Sequence, residues 1–186
     1  MRVFQIIWDW IKSHKLIVFG IFFFGLVNMA TVIGFGFMYK GAFWAELRGR
    51  HAESAELYAE QGNYQSAAIQ WETEALKTQK KIDKNQEYHL LVHQAESRVN
   101  AAKYWEINGD SKLVRSNLEK AAEKYVEAGQ YYEGIQNIDE ARKCYEKAQQ
   151  TYLTLSEKAN AEGYTDKSLE YKAKSERWRA KAETIF

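Results

Sequence analysis

Residues 122–155 read AEKYVEAGQYYEGIQNIDEARKCYEKAQQTYLTL. Tyr125, Ala128, Gly129 and Tyr132 recur at intervals of three and four, the spacing of one helical face. Ala141, Cys144, Tyr145, Ala148, Tyr152 and Leu155 repeat that spacing after an interruption at Gly134 to Asn137. Glycine and asparagine accept the left-handed backbone that ends helices, so the stretch predicts two helices joined by a tight turn. Small residues let the pair approach closely, and Tyr132 and Tyr145 are expected to fill the adjoining holes.

The pattern continues in both directions. Tyr64, Ala67, Ala68, Trp71, Ala75 and Ile82 form one stripe. Leu91, Ala95, Val99, Ala102 and Trp105 form a second, and Val114, Leu118, Ala121 and Ala122 lead into Tyr125. Helix breakers fall at Gly62-Asn63, Lys84-Asn85, Asn108-Gly109-Asp110, Gly134 to Asn137, and Gly163-Tyr164, a near-regular spacing of about 23–29 residues. Asp110, Ser111, Asp139, Thr165 and Asp166 are placed to cap the helices that follow. With no proline in the chain, nothing forces a break elsewhere. The expected fold is all-α: about six antiparallel helices of 20–25 residues stacked as an α-solenoid over residues 41–186. A final helix, Thr165 to Ile185, carries Lys167, Lys172, Lys174, Arg177, Arg179 and Lys181. Glu170, Glu176 and Glu183 interleave with these cations, so it reads as a solvated cap with Leu169, Ala173, Trp178 and Ala182 as its thin apolar face.

Residues 122–155 resemble a tetratricopeptide repeat (TPR), through Tyr125, Ala128, Gly129, Tyr132, Ala141, Tyr145 and Ala148. Gln136 departs from that pattern, standing where a small residue is usual, and no proline closes the repeat. Residues 51–76 match more loosely through Ala55, Tyr58, Gly62, Tyr64, Ala67 and Trp71. The helices between 86 and 132 are too long for a 34-residue register and are more similar to the long-helix arrays of SNAP-type adaptors. The resemblance implies a protein-binding scaffold and carries over no catalytic residue.

A different solvent is written into the first 40 residues. Leu16 to Tyr39 is a 24-residue run without a charge, bounded by Lys15 and Lys40. At about 1.5 Å per residue it would extend roughly 36 Å, enough for a hydrocarbon core of about 30 Å. Trp8 and Trp10 precede it, and Phe43 and Trp44 follow, as in an interfacial belt. Phe4, Ile7, Trp8 and Ile11 lie at helical spacing in a segment that reads as interfacial helix or as the first turns of the span. No small-x-small cleavage site follows, so the run is expected to remain as a single uncleaved transmembrane anchor. Arg2, Lys12 and Lys15 before it balance Lys40, Arg48 and Arg50 after it, so charge assigns no orientation. Ala30 and Gly34 share a face as a small-xxx-small pair, and Asn28 is the strongly polar side chain inside; both are expected to pack against another span.

Signals for chemistry are few. Net charge is +1, which gives no bulk affinity for nucleic acid. His89 and His93 are four apart with Glu96 one turn on, but two ligands fall short of a metal site. Gly34-Phe35-Gly36 lies in the apolar run, where close helix packing accounts for it. Cys144, the single cysteine, lies on an apolar face beside Tyr145 and reads as a small core residue. No cofactor and no enzymatic activity are expected. With 12 tyrosines and six tryptophans, some aromatics should exceed the core's capacity. Tyr88, Tyr104, Tyr131 and Tyr171 fall off the main stripes and are expected at a protein interface. The expected role is an accessory or structural subunit of a multi-subunit membrane complex. Its partners would be neighbouring spans, an extramembrane protein and the bilayer. A membrane-anchored chaperone or trafficking adaptor that binds clients transiently is the alternative.

Overall fold

The computed structural model describes residues 24–29, 34 and 41–185. Seven α-helices follow Gly41: α1 Ala42–Leu47, α2 His51–Glu60, α3 Tyr64–Asn85, α4 Leu91–Ile107, α5 Ser111–Gly134, α6 Ile138–Ala161 and α7 Thr165–Thr184. A 3-10 turn, Tyr88–Leu90, leads into α4. There is no strand among the described residues. Each helix packs chiefly on its neighbours in sequence, the arrangement of a helical solenoid.

A helix ends at or beside every expected breaker; at Lys84-Asn85 the left-handed residue is the following Gln86, φ +56°. Gly62, Gly109 and Gly163 have φ of +74°, +83° and +81°, backbone that residues with a Cβ rarely adopt. The side chains of Asn63, Asp110 and Asn137 accept from the backbone N–H of Ser66, Leu113 and Glu140, satisfying donors left over in the first turn. Of the expected caps only Asp110 acts as one. Ser111, Asp139, Thr165 and Asp166 lie within the first turns, where the acids still complement the helix dipole.

The expected count of six helices is one short. Arg48-Gly49-Arg50 divides the first into α1 and α2, because Gly49 adopts φ +69°. As expected for the helices between 86 and 132, a 34-residue register is not kept. Side chains tie α2 to α4, α3 to α5, α4 to α6 and α5 to α7 through Glu56–Tyr104, Glu72–Asn117, Glu96–Lys147, Glu119–Tyr171 and Glu133–Lys181, pairs 45–52 residues apart. The structural repeat is therefore a long hairpin of about that length. Near the α5–α6 turn the tight packing positions are kept.

The core is built on alanine. Ala67, Ala68, Ala95, Ala121, Ala122, Ala141, Ala148 and Ala159 are all buried with no exposed surface, and Tyr145, Trp105, Trp71 and Trp178 fill the space between helices. A smaller cluster joins Ile82, Leu91, Ala128 and Cys144. The stripes read from sequence face inward in α3 to α6, Tyr64 excepted, which is 36% exposed. In α7 the phase differs. Tyr171, Ser175, Trp178 and Ala182 are buried, whereas Leu169 and Ala173 face outward.

Gln136 has φ +59° in the turn between α5 and α6. A left-handed non-glycine residue costs roughly 1–2 kcal/mol, partly offset in the unfolded chain by glycine's extra freedom. Gln136→Gly should therefore stabilise the domain by about 0.5–1 kcal/mol, seen as a higher midpoint in urea. An unchanged or lower midpoint would mean that the turn holds no such strain.

Candidate interaction surface

The α5–α6 elbow is where small and large side chains meet most closely. A Cβ added to Gly129 would lie 2.6 Å from Tyr145 Cε1 and 2.8 Å from Cδ1. Tyr145 is fully buried. Its ring stacks on Trp178 with centroids 5.3 Å apart, and its hydroxyl donates to Glu133 Oε2 at 2.7 Å. Lys181 Nζ donates to the other oxygen of Glu133 at 2.6 Å. The Lys181 and Tyr145 hydrogen bonds hold the Glu133 carboxyl below its ordinary range. Burial, then the Glu133 bond, pushes the Tyr145 phenol up. Tyr125, Ala141 and Ala148 are buried around this elbow and Tyr132 is half-buried. These repeat-packing residues join α5, α6 and α7.

The four tyrosines expected at an interface divide. Tyr104 is 7% exposed, stacked on Tyr64, with its hydroxyl directed to Glu56 Oε2. Tyr171 is 3% exposed and donates to Glu119. Both are core residues, because a phenol can bury its ring when its hydroxyl reaches a carboxylate at the edge. Tyr88 lies at the surface, whereas Tyr131 is half-buried against the Ile82, Leu91, Ala128 and Cys144 cluster. Tyr88 is 39% exposed with its ring 5.5 Å from that of Tyr131. Tyr131 in turn meets Tyr132 edge-on at 5.4 Å. Ile135, 55% exposed, lies just beyond, at the α5–α6 turn.

A groove absent from the sequence reading runs between α4 and α6 with α5 as its floor. Val99, Ala102, Lys103 and Glu106 line one side, Gln150, Thr151, Thr154 and Lys158 the other, and Val114 and Leu118 the base of a space of about 270 Å³. A second hollow of about 200 Å³ shares Glu106, Val114 and Lys158 with it and continues to Gly109 and Glu162. Lys158 bridges the two walls to Glu106. The two hollows adjoin along one groove that is open to solvent and lined by both polar and apolar side chains.

A polar knot also lies beneath the surface. Glu72 Oε1 on α3 accepts from Trp105 Nε1 at 2.8 Å and from Asn117 Nδ2 at 2.7 Å. Asn117 Oδ1 accepts from the Arg98 guanidinium at 3.0 Å. Arg98 is 8% exposed, and burial lowers its pKa while Glu72 opposes the shift. The one sequence signal for it is a polar Asn117 between Val114 and Ala121 on the inward face of α5.

His89 and His93 do not share a helix. His89 lies in the 3-10 turn, and His93 on α4 faces Glu74 Oε1 at 3.5 Å. Glu96 pairs instead with Lys147 at 2.7 Å. Burial raises the Cys144 thiol to about 11, away from the reactive thiolate.

The expected span, residues 16–39, lies for the most part outside the described residues, as does Ala30. Residues 24–29 are helical and exposed, and Asn28 Nδ2 donates to Phe24 O at 2.7 Å, satisfying its amide within its own turn. Gly34 is helical, with nothing within 4 Å of an added Cβ. Among the described residues, no helix is long and apolar enough to cross a membrane.

No family model matches the chain, and no curated protein matches it. Among the solved structures that share a likeness are "Crystal structure of MamA" and "Crystal structure of MamA protein", both 15% identical with a TM-score of 0.27. The first match covers 73% of this chain and 80% of that one, the second 70% and 72%. At that score the likeness contributes nothing to a reading of function.

Proposed function

We propose that this protein is a membrane-anchored scaffold for protein–protein interaction, an accessory or structural subunit of a multi-subunit membrane complex. The observation that carries the reading is the open groove on α5 between α4 and α6, lined by both polar and apolar side chains from three helices. Exposed Tyr88 and Ile135, with half-buried Tyr131 beside them, add a second contact area. The anchor is residues 16–39, uncharged between Lys15 and Lys40.

Solubilisation in mild detergent, a native gel and mass spectrometry provide the test. A subunit co-purifies with its complex at a fixed ratio, whereas variable, substoichiometric recovery would favour the transient chaperone or adaptor. A paired substitution extends the test to the span. Ala30→Leu with Gly34→Leu keeps length and hydrophobicity, so membrane insertion should persist while the fraction in the high-mass complex falls. Full retention of the complex, with the variant and with a polyleucine span, would reduce the segment to a tether.

A further inference from the structure

We infer that α1 and the adjoining basic edge of α3 form a foot that rests on an anionic lipid surface and holds the solenoid against the membrane. The inference rests on the anchor reading above. Lys40, the charge that closes the uncharged run, is four residues before Trp44, so Trp44 stays within about 14 Å of it even if the chain is extended. Gly41, between them, has φ +97° and stands immediately before α1.

The packing of α1 decides which side faces outward. Ala42 and Ala45 are buried. Ser54 Oγ donates to Ala42 O at 2.8 Å, and the Tyr58 hydroxyl donates to Glu46 at 3.0 Å, so that side is bound to α2. Trp44 and Leu47, three apart on the other side, are 44% and 61% exposed. Tryptophan and leucine left in solvent beside a span are the pair that settles at the headgroup–acyl boundary.

Charge gives the chemistry of the surface. Lys77 Nζ donates to Gly49 O at 2.6 Å, bringing α3 against the turn that follows α1. Lys81 and Lys84 share the helical face of Lys77, at four and seven residues on, and all three are exposed or nearly so, as is Arg48. Glu74 offsets Lys77 in part at 3.8 Å. The cations of this α3 edge suit phosphatidylglycerol or similar acidic headgroups, each worth a gain near such a surface.

The test uses the full chain reconstituted in phosphatidylcholine vesicles with and without phosphatidylglycerol. A Leu47→Cys variant in a Cys144→Ser background carries an environment-sensitive fluorophore, with Ile135→Cys as the distant control, and brominated lipid reports depth. The expected result is strong quenching at 47 in acidic vesicles and little at 135. Lys81→Glu with Lys84→Glu should weaken that surface-bound state roughly tenfold or more in acidic vesicles only. Alkaline extraction is measured in parallel. Retention in the membrane with an unquenched label at 47 would overturn the foot and leave the anchor standing. Extraction by alkali with quenching at neutral pH would overturn the anchor and keep the foot. Quenching that is equal at 47 and 135, or that ignores the charge reversal, would also overturn the inference and leave the face for a protein partner.

Discussion

Gly129→Ala should destabilise the protein by about 2–4 kcal/mol, at the upper end of overpacking effects. Alanine in place of glycine inside a helix normally stabilises by about 1 kcal/mol, so the sign alone is diagnostic. The new methyl carbon would lie 2.6–3.0 Å from three atoms of the Tyr145 ring. That ring cannot retreat, because Trp178 stacks on it and Glu133 holds its hydroxyl. Urea unfolding of the full chain in detergent, followed by circular dichroism, measures the change. A companion Tyr145→Leu, destabilising by itself, should remove most of the clash, so the double variant should be more stable than the two losses added together. Stabilisation by Gly129→Ala would refute the close approach of α5 and α6.

Asn117→Leu is expected to cost about 2–4 kcal/mol although the side chains are close in size. Asn117 is 2% exposed and stands between Glu72 and Arg98. Leucine would leave the buried guanidinium without its hydrogen-bond acceptor and strip one donor from Glu72, and a buried charge deprived of its partner is the costly case. Replacing Arg98 by methionine in the same chain should recover much of the loss, because the charge that needed the partner is then gone. A midpoint unchanged by Asn117→Leu would show that water already satisfies Arg98. The groove floor, Val114 and Leu118, belongs to the same helix as Asn117, so the variant should also weaken binding of any partner seated there.

How much of this was legible in the sequence varied with the helix. In α3 to α6 the apolar residues are numerous enough that only one rotation buries them, and the inward faces were read with few errors. Breaks were equally readable, since Gly62, Gly109 and Gly163 take backbone that other residues avoid. Arg48-Gly49-Arg50 uses the same chemistry at Gly49, but two flanking arginines are ordinary helix residues and hid the break. The long uncharged run at 16–39 is a property of composition, and the expectation of an anchor rests on it alone.

Tertiary structure decided what local periodicity leaves degenerate. Helix α7 has so few apolar residues that two rotations fit its pattern almost equally. The phase is chosen by Trp178 meeting Tyr145 and by Tyr171 reaching Glu119, 52 residues away. The same logic buries Tyr104 against Glu56. A tyrosine carries an apolar ring and a polar tip, so its sequence position assigns it neither to core nor to interface. The choice depends on whether a distant helix supplies an acceptor for the hydroxyl. The groove between α4 and α6 arises in the same way, from helices separated in sequence by the α5 that floors it.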